Sequence, residues 1–251
     1  MISTEQLEDV SRRWKIDRFT VMREYLQVLF LLNLYSQKES EKIYFKGGTA
    51  IRLLFNSYRF SEDLDFTSEL GDLQKVKRML IAAHKDCGLE AEGITINSWE
   101  TKTNSLGARL RYATDIAPMP LTIHLEISFR EKPMSRAVTQ VETVLPISPY
   151  PMVTHMDKEE LLAEKVRAFM TRQKGRDIFD LWFLLSKGIP LNNEMIQKKM
   201  DYYKKKYSLE ELKQRLRSFP LASLKRDLGQ FLPASHRQNI EKFPQMTLEK
   251  L

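Results

Sequence analysis

Cysteine is nearly absent. Cys87 stands alone among 251 residues, which excludes an intrachain disulfide framework and any multi-cysteine zinc site. The four histidines, His84, His124, His155 and His236, show no H-x-x-x-H spacing, so the helical zinc-hydrolase pattern is missing as well. Long apolar runs are also lacking. The most apolar stretch, around Val28–Tyr35, is interrupted by Asn33 and falls far short of the roughly 18 residues that span a bilayer. The opening Met1-Ile-Ser-Thr-Glu-Gln6 does not have the basic-then-apolar layout of a signal peptide. The expectation is a cytoplasmic protein with no membrane partner. Glycine is sparse, at nine residues, yet two of the nine are adjacent, Gly47 and Gly48.

What is present is ordinary globular composition, with 42% hydrophobic and 29% charged residues. The net charge of +7 is unevenly placed. From Pro190 to Leu251 there are 13 basic and 7 acidic residues, so the C-terminal quarter holds nearly all of the surplus. A polyanionic partner and a plain solvated helical surface both fit that bias.

Three zones follow along the chain. Residues 3–37 read as two helices. Ser3 with Gln6 forms a capping-box pattern before Leu7, Val10 and Trp14. Asp17 can cap a second helix with Val21, Tyr25, Val28, Leu29 and Leu32 on one side. Residues 42–150 read as mixed α/β. Strands are expected at 42–46, 63–66, 93–99, 105–112 and 121–129, and helices at 49–55 and at 73–87, the latter closed by Gly88. Loops are expected at Ala117–Pro120 and Pro146–Pro151. Residues 156–251 read as helical throughout, with helices at 157–172, 176–187, 193–206, 208–218 and 221–231, punctuated by prolines. The expected domains are 1–150, N-terminal helices with an α/β core, and 151–251, an all-helical C-terminal domain.

Lys46-Gly-Gly-Thr49 follows a strand and opens a helical segment, where bare backbone N–H groups can meet phosphate oxygens. The pair alone fits a simple tight turn better, and it is neither a Walker loop nor a dinucleotide fingerprint. Asp63-Leu-Asp-Phe66 begins fourteen residues after Thr49. Side chains two apart on a strand point the same way, so Asp63 and Asp65 would present two carboxylates whose repulsion a cation relieves. A solvated strand edge is the alternative. Leu121–Phe129 alternates, with Glu126 on its polar face, and Glu126 could stand beside the aspartates. Three carboxylates facing a glycine turn would suit two-metal phosphoryl transfer.

The order G-G-T, then D-x-D, then a later strand carboxylate resembles the DNA polymerase β-type nucleotidyltransferase superfamily. Lys46-Gly-Gly-Thr-Ala-Ile-Arg-Leu-Leu-Phe55 with Arg59-Phe-Ser-Glu-Asp-Leu-Asp-Phe66 is similar to the AbiEii/AbiGii-type nucleotidyltransferase toxins of type IV toxin–antitoxin systems. So is the stretch Leu162–Trp182, which holds a K-x-x-A-x-x-x-R, R-D-x-x-D-L pattern. The resemblance spans roughly 40–187. Ile51 stands at the family's leucine, Thr49 replaces the superfamily's commoner serine, and the third carboxylate is a glutamate.

The resemblance implies an α+β fold, a polymerase β-like mixed sheet with flanking helices plus the helical C-terminal domain. It implies an NTP substrate with Mg²⁺ or Mn²⁺ held by Asp63, Asp65 and Glu126. Lys46, Gly47, Gly48 and Thr49 would serve the nucleotide, and Arg59 and Ser61, which precede the aspartates, would position them or the triphosphate as part of the nucleotide-binding set. On the 157–172 helix, Lys165 and Arg172 fall within the apolar stripe. Snorkelling at a domain edge is the bland reading; the resemblance instead implies that Lys165 contacts the nucleotide phosphates. Asp177 and Asp180 would pair with Lys165, Arg172 or Arg176 and organise them. Lys165 and Asp177 would thus join Asp63 and Asp65 as catalytic groups, and Arg172 and Asp180 would join the nucleotide-binding set. The implied acceptor is RNA, with a tRNA 3′ end foremost, and the implied partner is a cognate antitoxin, often a DNA-binding repressor. A small-molecule or protein hydroxyl as acceptor, or nucleotide binding without catalysis, are the alternatives. Cys87 reads as packing.

Overall fold

The computed structural model describes every residue except 115, 117 and 118; the loop expected at Ala117–Pro120 therefore lies partly outside the described residues. The fold is α+β. The chain divides into two compact units, one of residues 1–56 and 60–156, the other of residues 57–59 and 157–251.

The first unit is built on a seven-stranded mixed sheet. Its strands are β1 (Ile43–Lys46), β2 (Leu64–Ser68), β3 (Ile94–Lys102), β4 (Ser105–Tyr112), β5 (Leu121–Ser128), β6 (Ala137–Gln140) and β7 (Met152–His155), in the order β3-β4-β5-β2-β1-β7-β6. Strand β2 runs antiparallel to β1 and parallel to β5. Alternation decides which side is core: Leu64, Phe66, Leu125 and Ile127 are fully buried, whereas Asp65 is half-buried and Glu126 exposed. The sequence reading missed β6 and β7. Each has four residues, too few for a period of two to show, and β7 follows a proline-rich loop.

Helices α1 (Thr4–Trp14), α2 (Arg18–Tyr35), α3 (Gly47–Phe55) and α4 (Leu73–Glu90) complete this unit. The Ser3–Gln6 capping box forms reciprocally, and the Asp17 carboxylate accepts from the Thr20 N–H. Helix α2 is not one-faced as expected. It is buried from Val21 through Leu31, because α1 and α4 pack on it as well as the sheet strands β5 and β7. The Tyr35 hydroxyl lies 2.8 Å from both the Ile43 and the Thr154 carbonyl oxygens, tying this helix to β1 and β7. Helix α4 runs past Gly88, the expected stop, to Glu90. Cys87 and Ala91, which flank that turn, are buried, and their burial outweighs the roughly 1 kcal/mol glycine penalty. Burial pushes the Cys87 thiol up to about 12, which leaves it inert at neutral pH.

The second unit holds α5 (Lys158–Arg172), α6 (Gly175–Ser186), α7 (Asn193–Asp201), α8 (Leu209–Arg217), α9 (Leu221–Leu228) and α10 (Phe243–Leu248). Asp157 caps α5 through the Glu160 N–H. Helix α7 ends five residues earlier than expected. Lys204 takes a left-handed conformation with φ 53°, and the Lys205 N–H returns to the Met200 carbonyl, a Schellman-type stop.

Candidate active site

Strand β1 carries the chain straight into α3. Lys46 is extended, Gly47 takes φ +83°, and no side chain caps the helix. The N-cap Lys46 has no side-chain acceptor to offer the first N–H groups of α3, and a helix N-terminus of this kind favours an anion. Asp65 reaches this turn from β2. A Cβ added to Gly47 would lie 2.2 Å from Asp65 Oδ2 and 2.9 Å from Asp65 Cβ. The glycine turn and the second aspartate are thus packed against each other, which a solvated strand edge would not require. The Thr49 hydroxyl, 1% exposed, donates to the Asp63 carbonyl. That bond holds the residue just before β2 against the first turn of α3. Asp63 lies immediately before the strand, two residues from Asp65.

Register places Asp65 between Lys46 on β1 and Glu126 on β5. Glu126 thus stands on the neighbouring strand, as expected. Among the described residues, however, no group of three His, Cys, Asp or Glu side chains is close enough to hold a metal ion. The Lys46 ammonium lies 3.9 Å from the Glu131 carboxylate, whose side chain is 2% exposed. Glu131 went unnoticed in the sequence, since Arg130-Glu-Lys-Pro133 reads as a surface charge run. The Ser61 carbonyl accepts from Gln27 Nε2 at 3.1 Å.

The second unit contains a buried charge network. Lys165 donates to Asp177 Oδ1 at 3.3 Å and lies 2.7 Å from Asp180 Oδ2. Arg172 grips Asp177 with two bonds of 2.9 Å. Arg59 grips Asp180 with bonds of 2.8 and 2.9 Å. Asp177 and Asp180 pair as expected with Lys165 and Arg172, but the Arg176 guanidinium instead lies over the Phe231 ring. Arg59, expected near the aspartates, has its guanidinium in this network. Burial alone would raise the Asp177 carboxyl, but Lys165 and Arg172 hold it down at about 2. Three cations and two carboxylates leave the network one positive charge in excess.

The sequence model described as "Nucleotidyl transferase AbiEii toxin, Type IV TA system" matches residues 29–246. The chain belongs to this AbiEii family. It is a nucleotidyltransferase, and its family is that of type IV toxin–antitoxin toxins. The match reaches beyond the motif blocks into the helices on both sides. No curated protein matches the chain in sequence. Among solved structures, the AbiEii-family chain is similar to JHP933 from Helicobacter pylori, at 22% identity, 94% coverage of each chain and a TM-score of 0.59. It is also similar to MenT4, a nucleotidyltransferase toxin of Mycobacterium tuberculosis, at 17% identity, with 96% of this chain and 89% of that chain covered and a TM-score of 0.57. These likenesses establish the shared fold. No described helix of the AbiEii-family chain is long and apolar enough to cross a membrane.

Proposed function

We propose that the chain transfers a nucleoside monophosphate from an NTP to an RNA hydroxyl, a tRNA 3′ end foremost, with Mg²⁺ or Mn²⁺ as cofactor. The observation that carries this reading is the packing of Asp65 on Gly47 at the uncapped start of α3. A carboxylate beside a helix N-terminus offers a cation and a phosphate adjoining places. Backbone N–H groups of Gly47, Gly48 and Thr49 would hold phosphate oxygens, with Lys46 and Ser61 as further nucleotide contacts.

The donor set suits a hard cation. Mg²⁺ is commonly held by one or two carboxylates plus substrate phosphates, without a closed protein cage. Asp63 and Asp65 would be those carboxylates, and Glu126, in register with Asp65, the third candidate. When bound, the metal would supply charge neutralisation at the phosphates and polarisation of the reacting oxygens. Lys165 spends two of its three donors on Asp177 and Asp180 and would direct its remaining one to a phosphate. Arg172, half-exposed, would add charge beside it. Asp177 pairs with both cations and keeps them oriented. An antitoxin encoded with the toxin would be the protein partner.

Incubating the full chain with total RNA and each α-labelled NTP in Mg²⁺ tests this reading. Labelled RNA of tRNA size is expected from one nucleotide, and Asp63→Ala with Asp65→Ala should abolish both the label and growth inhibition. Undiminished label in that double variant would overturn the metal site. Label on a small molecule or protein would overturn the RNA acceptor.

A further inference from the structure

Taking RNA as the acceptor proposed above, we infer that the cavity bounded by α5, α7 and α8 is a built seat for one phosphodiester of that RNA. Gln197 pins the lysine loop on its rim, and Arg215 of α8 shares that rim.

The cavity has a volume of about 290 Å³ and is lined by Met170, Met200, Lys205, Lys206, Glu211 and Arg215. All six belong to the second unit. Cavities for whole small molecules run from about 300 to 1,000 Å³, so this one suits a group the size of a ribose phosphate. Met170 and Met200 are 2% and 1% exposed, whereas Lys205 and Lys206 are exposed. The floor is therefore apolar and the rim cationic. Three cations against one carboxylate leave the lining with positive charge in excess, and an apolar floor strengthens the attraction of such a rim for an anion. The carboxylate does not use up Arg215. Its Nε and Nη2 both donate to the one oxygen Glu211 Oε1, at 2.9 and 2.6 Å. A guanidinium has about five N–H groups in all, so this pairing fixes its plane and leaves others for phosphate oxygens.

A solvated basic loop has no need of a fixed backbone, yet this one is fixed. The Schellman-type stop of α7 accounts for the Lys204 and Lys205 N–H groups, which return to the Asp201 and Met200 carbonyls. It does not account for Gln197. That side chain, half-buried on α7, donates to the Lys205 carbonyl at 3.2 Å and to the Asp201 carboxylate at 2.6 Å, and accepts from the Tyr207 N–H at 2.8 Å. Its two bonds to the backbone bracket Lys206, one on either side. Lys205 and Lys206 are thus carried on one pinned turn despite their like charge. Keeping like charges together has a cost that an anion between them offsets, and a site ordered in advance loses less entropy on binding. Lys204, exposed at the preceding position, extends the cationic row past the cavity, which suits an anion that continues as a chain.

The experiment measures binding of a labelled single-stranded RNA oligomer to the full chain, by fluorescence anisotropy over a salt series and without NTP, for wild type, Gln197→Leu and Arg215→Lys. Both substitutions leave the net charge unchanged, so attraction to a diffuse basic surface would not register them. A built seat should bind RNA about tenfold more weakly in each variant, with the slope of log affinity against log salt lowered by less than about one. Amide exchange over residues 202–207 should quicken in Gln197→Leu; if that variant loosens α7 as a whole, Arg215→Lys decides the matter. Inorganic phosphate, titrated as a competitor, separates the two sources of the anion. Displacement of RNA only at millimolar phosphate supports the phosphodiester. Weakened phosphate binding in the variants with RNA affinity unchanged would assign the cavity to a free anion and overturn the seat. Wild-type affinity for both probes in both variants would show a solvated surface and overturn it as well. No transfer step is measured, so if RNA takes up no label the acceptor reading fails while the binding result still judges the seat.

Discussion

At Gly47 two constraints coincide. The backbone takes φ +83°, where an L side chain is strained, and an added Cβ would strike the Asp65 carboxylate at 2.2 Å. The left-handed conformation alone costs about 1–2 kcal/mol for a residue with a Cβ. The clash adds a displacement of Asp65, because the carboxylate and its own Cβ both lie in the way. Gly47→Ala should therefore cut transfer at least about a hundredfold and lower stability by roughly 1–3 kcal/mol, measured by initial rates and urea unfolding. Unaltered activity would mean that Asp65 does not need its place on the turn. Thr49 shows a milder constraint. Its hydroxyl is engaged with the Asp63 carbonyl, a bond serine can make as well, which accounts for threonine where the superfamily more often has serine. The glycine pair and the aspartates were legible because their spacing is local. The Arg59–Asp180 pair was not: its members lie 121 residues apart, and nothing in N-S-Y-R-F marks an arginine that will be buried.

At the scale of elements, the α5–α6 pair is held by a carboxylate whose charge matters. Asp177 is fully buried and sits near 2 instead of its ordinary 3.8. A depressed carboxylate contributes stability above its unfolded pKa and loses it as pH falls through the folded one. The difference amounts to roughly 2 kcal/mol, present at pH 5 and gone near pH 2. Asp177→Asn should be less stable than wild type at pH 5, and the gap should close between pH 4 and 2 in urea unfolding. A gap that stays constant to pH 2 would mean that Asn disrupts packing and that charge plays no part. Helix starts were readable because capping is local: Ser3, Asp17 and Asp157 each accept from the third residue beyond. Stops were harder. Gly88 reads as a terminator, but burial of Cys87 and Ala91 carries α4 through it. Lys199 is fully buried, 2.6 Å from Glu160 and 3.3 Å from Glu164. Pattern gives a residue's face only when its partners are near in sequence, and this pair bridges α5 to α7.

Across the whole molecule, the +7 charge and its concentration after Pro190 supply a test that separates an RNA acceptor from a small one. Much of the basic tail is already engaged: Lys198 pairs with Glu194, Arg215 with Glu211 and Lys225 with Glu241. Lys204, Lys205 and Lys206 differ. They are exposed on the connection between α7 and α8, and none forms an ion pair among the described residues. Three adjacent exposed ammonium groups repel one another unless an anion lies across them. A single-stranded phosphate backbone releases about 0.7 counterion per phosphate neutralised. If these lysines grip RNA, reversing all three to glutamate should raise KM for RNA steeply and flatten the salt dependence by a slope of roughly two, while KM for NTP holds. The aspartates and the glycine turn lie in the other compact unit, so the reversal leaves their local packing untouched. A salt dependence that is flat in the wild type, or unchanged by the reversal, would move the acceptor off this surface and favour a small hydroxyl substrate.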